Sequence, residues 1–283
     1  MNVLSLFDGI SCGQIALRSI GVKVGKYYAS ELDKYATQVT QKNFPETTQL
    51  GDVNSWEKWD IDWKSIDLLI GGSPCQNFSL IGNQLGLEGK DSKLFLEYAN
   101  ILAHLKKVNP KVKFLLENVP MKAEFLEVIT ATLGVQPVAI NANLLLPQSR
   151  NRYYWCNWPL TPPEKVESNY LMVADNWMKP ATVRKGDPRP VKLTGDHFLC
   201  LTASYYKGVR ADGRPALAYR EGVFDEMREK DEVRMLTPEE CEKLQGVPEG
   251  YTEGISNTQR YKTLGNGWAV PVIAHIFSQG NLK

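Results

Sequence analysis

Ile66-Asp67-Leu68-Leu69-Ile70-Gly71-Gly72-Ser73-Pro74-Cys75-Gln76-Asn77 is the stretch on which the fold reading turns. Its first five residues are a compact apolar run closed by two glycines, which predicts a buried parallel strand. Open α/β folds bind their ligands beyond the carboxyl ends of such strands. The loop that begins at Gly71 therefore lies where chemistry is expected. Pro74 stiffens the approach to Cys75 and polar residues follow, the pattern of a thiol presented to a ligand. A free cysteine is also a common small core residue, so this stretch alone leaves both roles open.

Composition sets the bounds. A chain of 283 residues with 43% hydrophobic content can bury a large core, as one domain or as two unequal ones. The formal net charge of +1 excludes neither nucleic acid nor acidic ligands, because a basic patch can be balanced elsewhere. Cys12, Cys75, Cys156, Cys200 and Cys241 are odd in number, widely spaced and form no CxxC pair. This speaks against a disulfide framework or a structural metal site and for a reducing compartment. No apolar run approaches membrane-spanning length, and Met1 leads into a strand without a signal-like segment. A soluble, intracellular (cytoplasmic) protein with no metal and no membrane partner is expected.

Outward from the central stretch, Asn2–Phe7 predicts a first strand, followed by the turn Asp8-Gly9-Ile10-Ser11-Cys12-Gly13 and a helix over Gln14–Ser19. Strand, glycine turn and helix open many nucleotide- or nucleoside-binding α/β units. The turn does not match GxGxxG, which weighs against a dinucleotide. A second strand, Val24–Ala29, runs into Ser30-Glu31-Leu32-Asp33. Glu31 stands about 20 residues past the turn, the spacing at which an acidic side chain accepts from ribose hydroxyls. Asp52, in Gly51-Asp52-Val53-Asn54, could take an adenine amino group; taken alone it reads as a cap or turn residue. Ile81–Lys90 has the composition of an active-site loop or of a plain linker. Leu94, Tyr98, Ile101, Leu102 and Leu105 predict a core-facing helix in which His104 is structural.

Val112–Leu116 predicts a strand that delivers Glu117-Asn118-Val119-Pro120 to the same sheet edge as Cys75. A carboxyl group there can act as a general acid. A helix over about Met121–Leu133 and an extended run over Gln136–Asn143 come next, and then Gln148-Ser149-Arg150-Asn151-Arg152. Arginines at i and i+2 of an extended segment face the same way, and their planar donors suit a carbonyl oxygen or a phosphate; surface salt bridging is the plainer alternative.

The ordered set FDGISCG (Phe7–Gly13), SELD, GDVNSW, GGSPCQNFS, LLENVP, QSRNRYYW and LGNGWAVPV (Leu264–Val272) resembles the DNA cytosine C5 methyltransferases. FDGISCG and WAVPVIAHIF are similar to the corresponding stretches of the animal de novo type. The resemblance implies an α/β, Rossmann-like S-adenosylmethionine-dependent methyltransferase with a small inserted target-recognition domain. It implies a large domain over 1–157, the small domain over 158–257, and a segment over 258–283 that returns to the large domain. Cys75, Glu117 and Arg152 take the catalytic roles it implies. S-adenosylmethionine falls to Phe7, Asp8, Gly9, Ile10, Glu31, Leu32, Asp52, Val53, Gly72, Pro74, Asn266, Gly267 and Trp268. The substrate falls to Ser73, Gln76, Asn118 and Arg150.

From Trp158 the chain turns proline-rich, and between Arg184 and Arg220 eight Lys or Arg stand against three Asp, with Tyr205, Tyr206 and Tyr219 interleaved. That local excess suits phosphate contacts to double-stranded DNA. Leu236–Gly246 predicts a helix capped by Thr237, with Pro238 in its first turn. The expected function is cytosine-5 methylation of duplex DNA in a bacterium or a phage-infected host, in a restriction-modification setting, and a monomer is compatible with the sequence. The alternatives are a transfer RNA cytosine-5 methyltransferase, whose branch has a motif that Cys200-Leu201-Thr202 partly matches, and a catalytically silent nucleic-acid-binding module.

Overall fold

The structure, a computed structural model, describes residues 1–73, 90–168, 172–173, 179–183, 191–193, 197–207, 216–219 and 232–282. The glycine-ended strand is present as Leu68–Gly72. In chain order the strands of its sheet are β1 (Val3–Leu6), β2 (Tyr27–Ser30), β3 (Thr48–Gln49), β4 (Leu68–Gly72), β5 (Lys113–Asn118), β6 (Val138–Asn141) and β7 (Asn151–Cys156). They form a seven-stranded sheet in the order β3-β2-β1-β4-β5-β7-β6. β1 pairs in parallel with β2 and β4, and β4 with β5, whereas β7 runs antiparallel to β5. The register sets Leu6 beside Ser30 and Gly71, and Gly72 beside Glu117. The carboxyl ends of β1, β2, β4 and β5 thus share one edge, which is where the α/β rule expects a ligand.

The helices are α1 (Cys12–Ser19), α2 (Lys34–Asn43), α3 (Lys90–Val108), α4 (Ala123–Leu133), α5 (Pro238–Gln245), α6 (Asn257–Asn266) and α7 (Val270–Gln279). In α3 the predicted stripe is real: Tyr98, Ile101, Leu102 and Leu105 are buried against Leu69, Phe114 and Leu116 of the sheet. Each such side chain contributes about 1.5–3 kcal/mol on leaving water. His104 is structural, its ring centroid 4.8 Å from that of Trp63 and 5.4 Å from that of Trp56. A side chain at Gly71 would be a tight fit, because a Cβ there would stand 3.0 Å from the Tyr98 ring and 3.1 Å from the Leu6 carbonyl, and these neighbours would have to give by a few tenths of an ångström.

The chain divides into two compact units: Met1–Ile140, Asn151–Pro162 and Ile273–Lys283 form the first, and Asn141–Arg150 with Pro163–Val272 the second. The first contains the large sheet. The second contains a four-stranded antiparallel sheet, β11-β10-β8-β9, from β8 (Lys179–Val183), β9 (Val191–Leu193), β10 (Ala216–Tyr219) and β11 (Glu232–Arg234). The stretch 258–272, expected in the segment that returns to the large domain, packs in the second unit, and the chain re-enters the first at Ile273. Within that stretch, Arg260–Asn266 belongs to α6.

α5 has the caps that its sequence predicts. Thr237 Oγ1 accepts from Glu240 N at 3.2 Å while the Glu240 carboxylate accepts from Thr237 N at 2.7 Å, and Pro238 fills the first turn. Behind it, the fully buried Glu242 accepts from Arg260 Nη2 at 3.0 Å and from the amides of Gly250 and Thr252. Those donors offset the cost of taking a carboxyl group out of water. Gly246 ends the helix at φ 68°, and a Cβ there would stand 2.4 Å from Pro271 Cδ. Gly246→Ala combines a left-handed backbone with a clash, and is expected to lower stability by about 2–4 kcal/mol. Chemical denaturation checks this, and an unchanged midpoint would contradict the packing described.

Candidate active site

At the shared sheet edge the first turn is built from unusual backbone. Phe7, Gly9 and Ser11 have φ of 57°, 59° and 57°, and a Cβ on Gly9 would meet nothing within 4 Å. Phe7 and Ser11 hold this left-handed geometry at about 1–2 kcal/mol each, and open space lies beside the glycine. A buried polar lattice beneath the turn supports it. Gln14 Nε2 donates to Thr47 Oγ1 at 2.7 Å and to Ser11 Oγ at 3.3 Å, and Thr40 Oγ1 stands 3.2 Å from Ser11 Oγ.

Glu31, just past β2, faces this turn. Its Oε2 accepts from Gly9 N at 2.8 Å, and its Oε1 accepts from the amides of Leu32 (2.8 Å) and Asp33 (2.7 Å). The carboxylate is fixed in direction, and Oε2 retains acceptor capacity for a hydroxyl. Leu32 beside it is 70% exposed, a large apolar surface next to the acid. Asp52 caps the short 3₁₀ turn Val53–Lys58 by accepting from Asn54 N at 3.0 Å, the role its position alone predicts. Val53 is buried.

Asp8 accepts from Tyr27 Oη at 2.8 Å and from Ser11 Oγ. Burial pushes its carboxyl from the ordinary 3.8 up to about 6, although the hydroxyls of Ser11, Ser5 and Tyr27 pull the other way. Between those two values the folded chain keeps a proton that the unfolded chain has released. Stability supplied by this group is therefore largest in acid, falls as pH rises from about 4 to 6, and is flat above. Urea titrations at pH 4, 5, 6 and 7 are expected to show this fall in the parent protein relative to Asp8→Asn, and parallel pH curves would refute it. The sequence assigns Tyr27 no part in the site, because a tyrosine inside a strand carries no local sign of its carboxylate partner.

The other half of the edge carries charge. Glu117, at the end of β5, pairs with Arg152 of β7, Nε to Oε1 2.9 Å, with side chains 10% and 13% exposed. Antiparallel pairing of β7 with β5 puts Tyr153 opposite Asn118 and so brings Arg152 to this edge. Asn118 Nδ2 donates to Ser73 Oγ at 3.1 Å, both residues being buried, and Asn118 Oδ1 accepts from Val119 N. This bond ties the end of β4 to the end of β5. Pro74, Cys75, Gln76 and the loop residues 81–89 lie outside the described residues. The edge thus gathers Phe7, Asp8, Gly9, Glu31, Leu32, Gly72, Ser73, Glu117, Asn118 and Arg152 within the first unit.

Residues 1–156 and 176–281 match the family described as C-5 cytosine-specific DNA methylase. The chain belongs to that family. This methylase is 30% identical over 314 residues to the type II methyltransferase M1.ScrFI of Lactococcus lactis subsp. cremoris, a match over 96% of this chain and 76% of the relative. It is 28% identical over 321 residues to M.HhaI of Haemophilus parahaemolyticus, over 98% and 93% of the two chains. Among solved structures, the Entamoeba histolytica methyltransferase EhMeth superposes with a TM-score of 0.70 at 21% identity, over 100% of this chain and 99% of that one. Dnmt2 of S. pombe gives 0.68 at 19%, over 98% and 97%. These two likenesses concern the fold, the α/β methyltransferase architecture expected from the sequence.

In this methylase Asn266 closes α6, and Gly267 and Trp268 follow it in the second unit. Arg150, expected to share a face and a ligand with Arg152, takes other partners. It is 4% exposed, and its guanidinium donates to the carbonyls of Leu201 (2.9 Å), Gly265 (3.3 Å) and Gly267 (2.8 Å) and to Cys200 Sγ (3.3 Å). Among the described residues no three His, Cys, Asp or Glu gather as a metal site, and no helix is long and apolar enough to cross a membrane.

Proposed function

We propose that this methylase rotates one cytosine out of duplex DNA, adds Cys75 Sγ to its C6 and directs methyl transfer to C5. The observation that supports this most is the Glu117–Arg152 pair at the carboxyl edge, one strand from the β4 end that leads into Cys75. A silent binding module has no use for a buried acid held in direction by an arginine.

Within a base stack C6 is out of reach of a side chain, so the nucleotide must leave the helix first. Attack by the Cys75 thiolate forms the S–C6 bond and breaks the C5–C6 double bond. The displaced electron pair moves toward N3, where Glu117 donates a hydrogen bond or a proton. Arg152 orients Glu117 and holds the cytosine O2 with its planar donors. C5 is then a carbon nucleophile that can accept a methyl group from a sulfonium donor. The C5 proton then passes to solvent water, its electron pair re-forms the C5–C6 double bond as Cys75 leaves as a thiolate, and Glu117 takes back any proton given to N3.

S-adenosylmethionine, when bound, supplies an electrophilic methyl group on a sulfonium. The turn and its surroundings fit such a cofactor: space beside Gly9, a fixed Glu31 carboxylate suited to ribose hydroxyls, and the exposed Leu32 for an adenine face. Phe7, Asp8, Ile10, Asp52, Val53, Gly72 and Pro74 join this reading, and Asn266, Gly267 and Trp268 enter it by motif alone. Gln76, Ser73 and Asn118 are assigned to holding the nucleophile loop and the flipped base, and 158–257 to target recognition. The names of the type II relatives support a restriction-modification setting.

Duplex DNA carrying 5-fluorocytosine tests the covalent step, because fluorine at C5 blocks the final elimination. A denaturation-resistant adduct that requires both the cofactor and Cys75 is expected. An adduct that persists in Cys75→Ser, or methylation without any adduct, would overturn it.

A further inference from the structure

Arg150 is buried in the second unit, and its guanidinium fork is aimed at the end of α6. Two of the carbonyls it reaches, Gly265 and Gly267, flank Asn266 on either side. The last carbonyls of a helix lack intrahelical partners and carry the negative end of its dipole, so a cation there both satisfies and attracts them. A second brace acts one residue earlier, where Gln245 Nε2 donates to Leu264 O at 2.8 Å. Gln148 belongs to the same construction: it donates to Leu244 O at 3.0 Å and accepts from Leu201 N at 2.9 Å.

The close packing at this point is demanding. A Cβ on Gly265 would stand 2.2 Å from the Thr202 carbonyl carbon, so the α6 terminus presses directly on the 201–203 backbone. Arg150 bonds to both sides of that contact, Leu201 O on one and Gly265 O with Gly267 O on the other. Its own backbone is pinned as well, with N donating to Asn141 Oδ1 at 2.8 Å and O accepting from Ala142 N at 3.0 Å. Both terminal nitrogens of the guanidinium, the donors that a phosphate or a base would need, are thus taken up by three protein carbonyls and the Cys200 sulfur.

We infer that Arg150 is a positioning residue for the cofactor motif: it fixes the backbone of Asn266 at the end of α6, and does not contact DNA. This rests on the assignment of Asn266 to the cofactor. A planar fork is needed because its acceptors lie in different segments, and an ammonium point charge cannot serve them together.

The test measures the dissociation constant of S-adenosylhomocysteine, the affinity for duplex DNA and the melting temperature for Arg150→Met, Arg150→Lys, Asn266→Ala and the double variant Arg150→Met with Asn266→Ala. Arg150→Met is expected to weaken S-adenosylhomocysteine about tenfold while DNA affinity stays within about twofold. With Asn266→Ala already present, the same change is expected to add little, since the two residues act through one contact. Arg150→Lys, which keeps the charge, is expected to fall between and replaces Arg150→Met in the cycle if the latter does not fold. Loss of DNA affinity with cofactor affinity intact would overturn the inference and return Arg150 to the substrate. Additive losses in the double variant would overturn it in favour of a general loss of structure. Unchanged cofactor affinity in Asn266→Ala alone would sink the assignment of Asn266, and the inference with it.

Discussion

Cys75→Ser is expected to lower methyl transfer to duplex DNA by about four orders of magnitude or more, with S-adenosylhomocysteine affinity within about twofold of the parent. The two side chains differ by one atom, so packing and the cofactor pocket have little reason to change. Their chemistry differs far more, because a thiol yields a strongly nucleophilic anion near neutral pH and a serine hydroxyl does not. No base that could activate a serine stands beside this position in the sequence, since Ser73-Pro74-Cys75-Gln76-Asn77 offers none. Transfer of labelled methyl groups from S-adenosylmethionine, measured beside equilibrium binding, separates the two effects. Undiminished transfer would move the nucleophile elsewhere, and joint loss of transfer and cofactor binding would mean that the substitution damages the edge itself.

Glu117→Gln should reduce kcat by about 10²–10⁴-fold, the usual share of a general acid. The amide has the same shape and can still accept from Arg152 Nε, now at 2.9 Å from the carboxylate. It carries no transferable proton and no charge, so N3 of the flipped base would receive a weaker hydrogen bond as electrons move toward it. KM for DNA is expected to change by only a few-fold, because the interaction lost grows in the transition state. Single-turnover kinetics check the split. A rise in KM at constant kcat would assign Glu117 to binding rather than to chemistry.

What the sequence made legible was local. The apolar run before Gly71 and the run before Glu117 could be read as strands because burial on both faces leaves no polar alternation. The α5 helix was legible from Thr237, Pro238 and Glu240, residues whose roles are fixed within one turn. Glu31 was placed by its distance from the first turn, and the edge set by β1, β2, β4 and β5 followed from the α/β rule.

What escaped was long-range. Arg150 and Arg152 look equivalent in QSRNR, yet one pairs with Glu117 and the other reaches Leu201, Gly265 and Gly267. Nothing within the segment says which acceptors lie near. α6 runs over Asn257–Asn266 although Gly265 lowers helix propensity near its end. Gly265 is there for a close backbone approach to Thr202, which no helix propensity encodes. The Asp8–Tyr27 bond, across 19 residues and two strands, is of the same kind.

The central claim, cytosine-5 methylation of DNA, is tested most directly by nucleoside mass spectrometry after the protein and S-adenosylmethionine are incubated with duplex DNA and transfer RNA in one tube. The account predicts 5-methyldeoxycytidine and no 5-methylcytidine. Appearance of 5-methylcytidine in its place, or of neither product while cofactor binding is intact on DNA of mixed sequence, would contradict it.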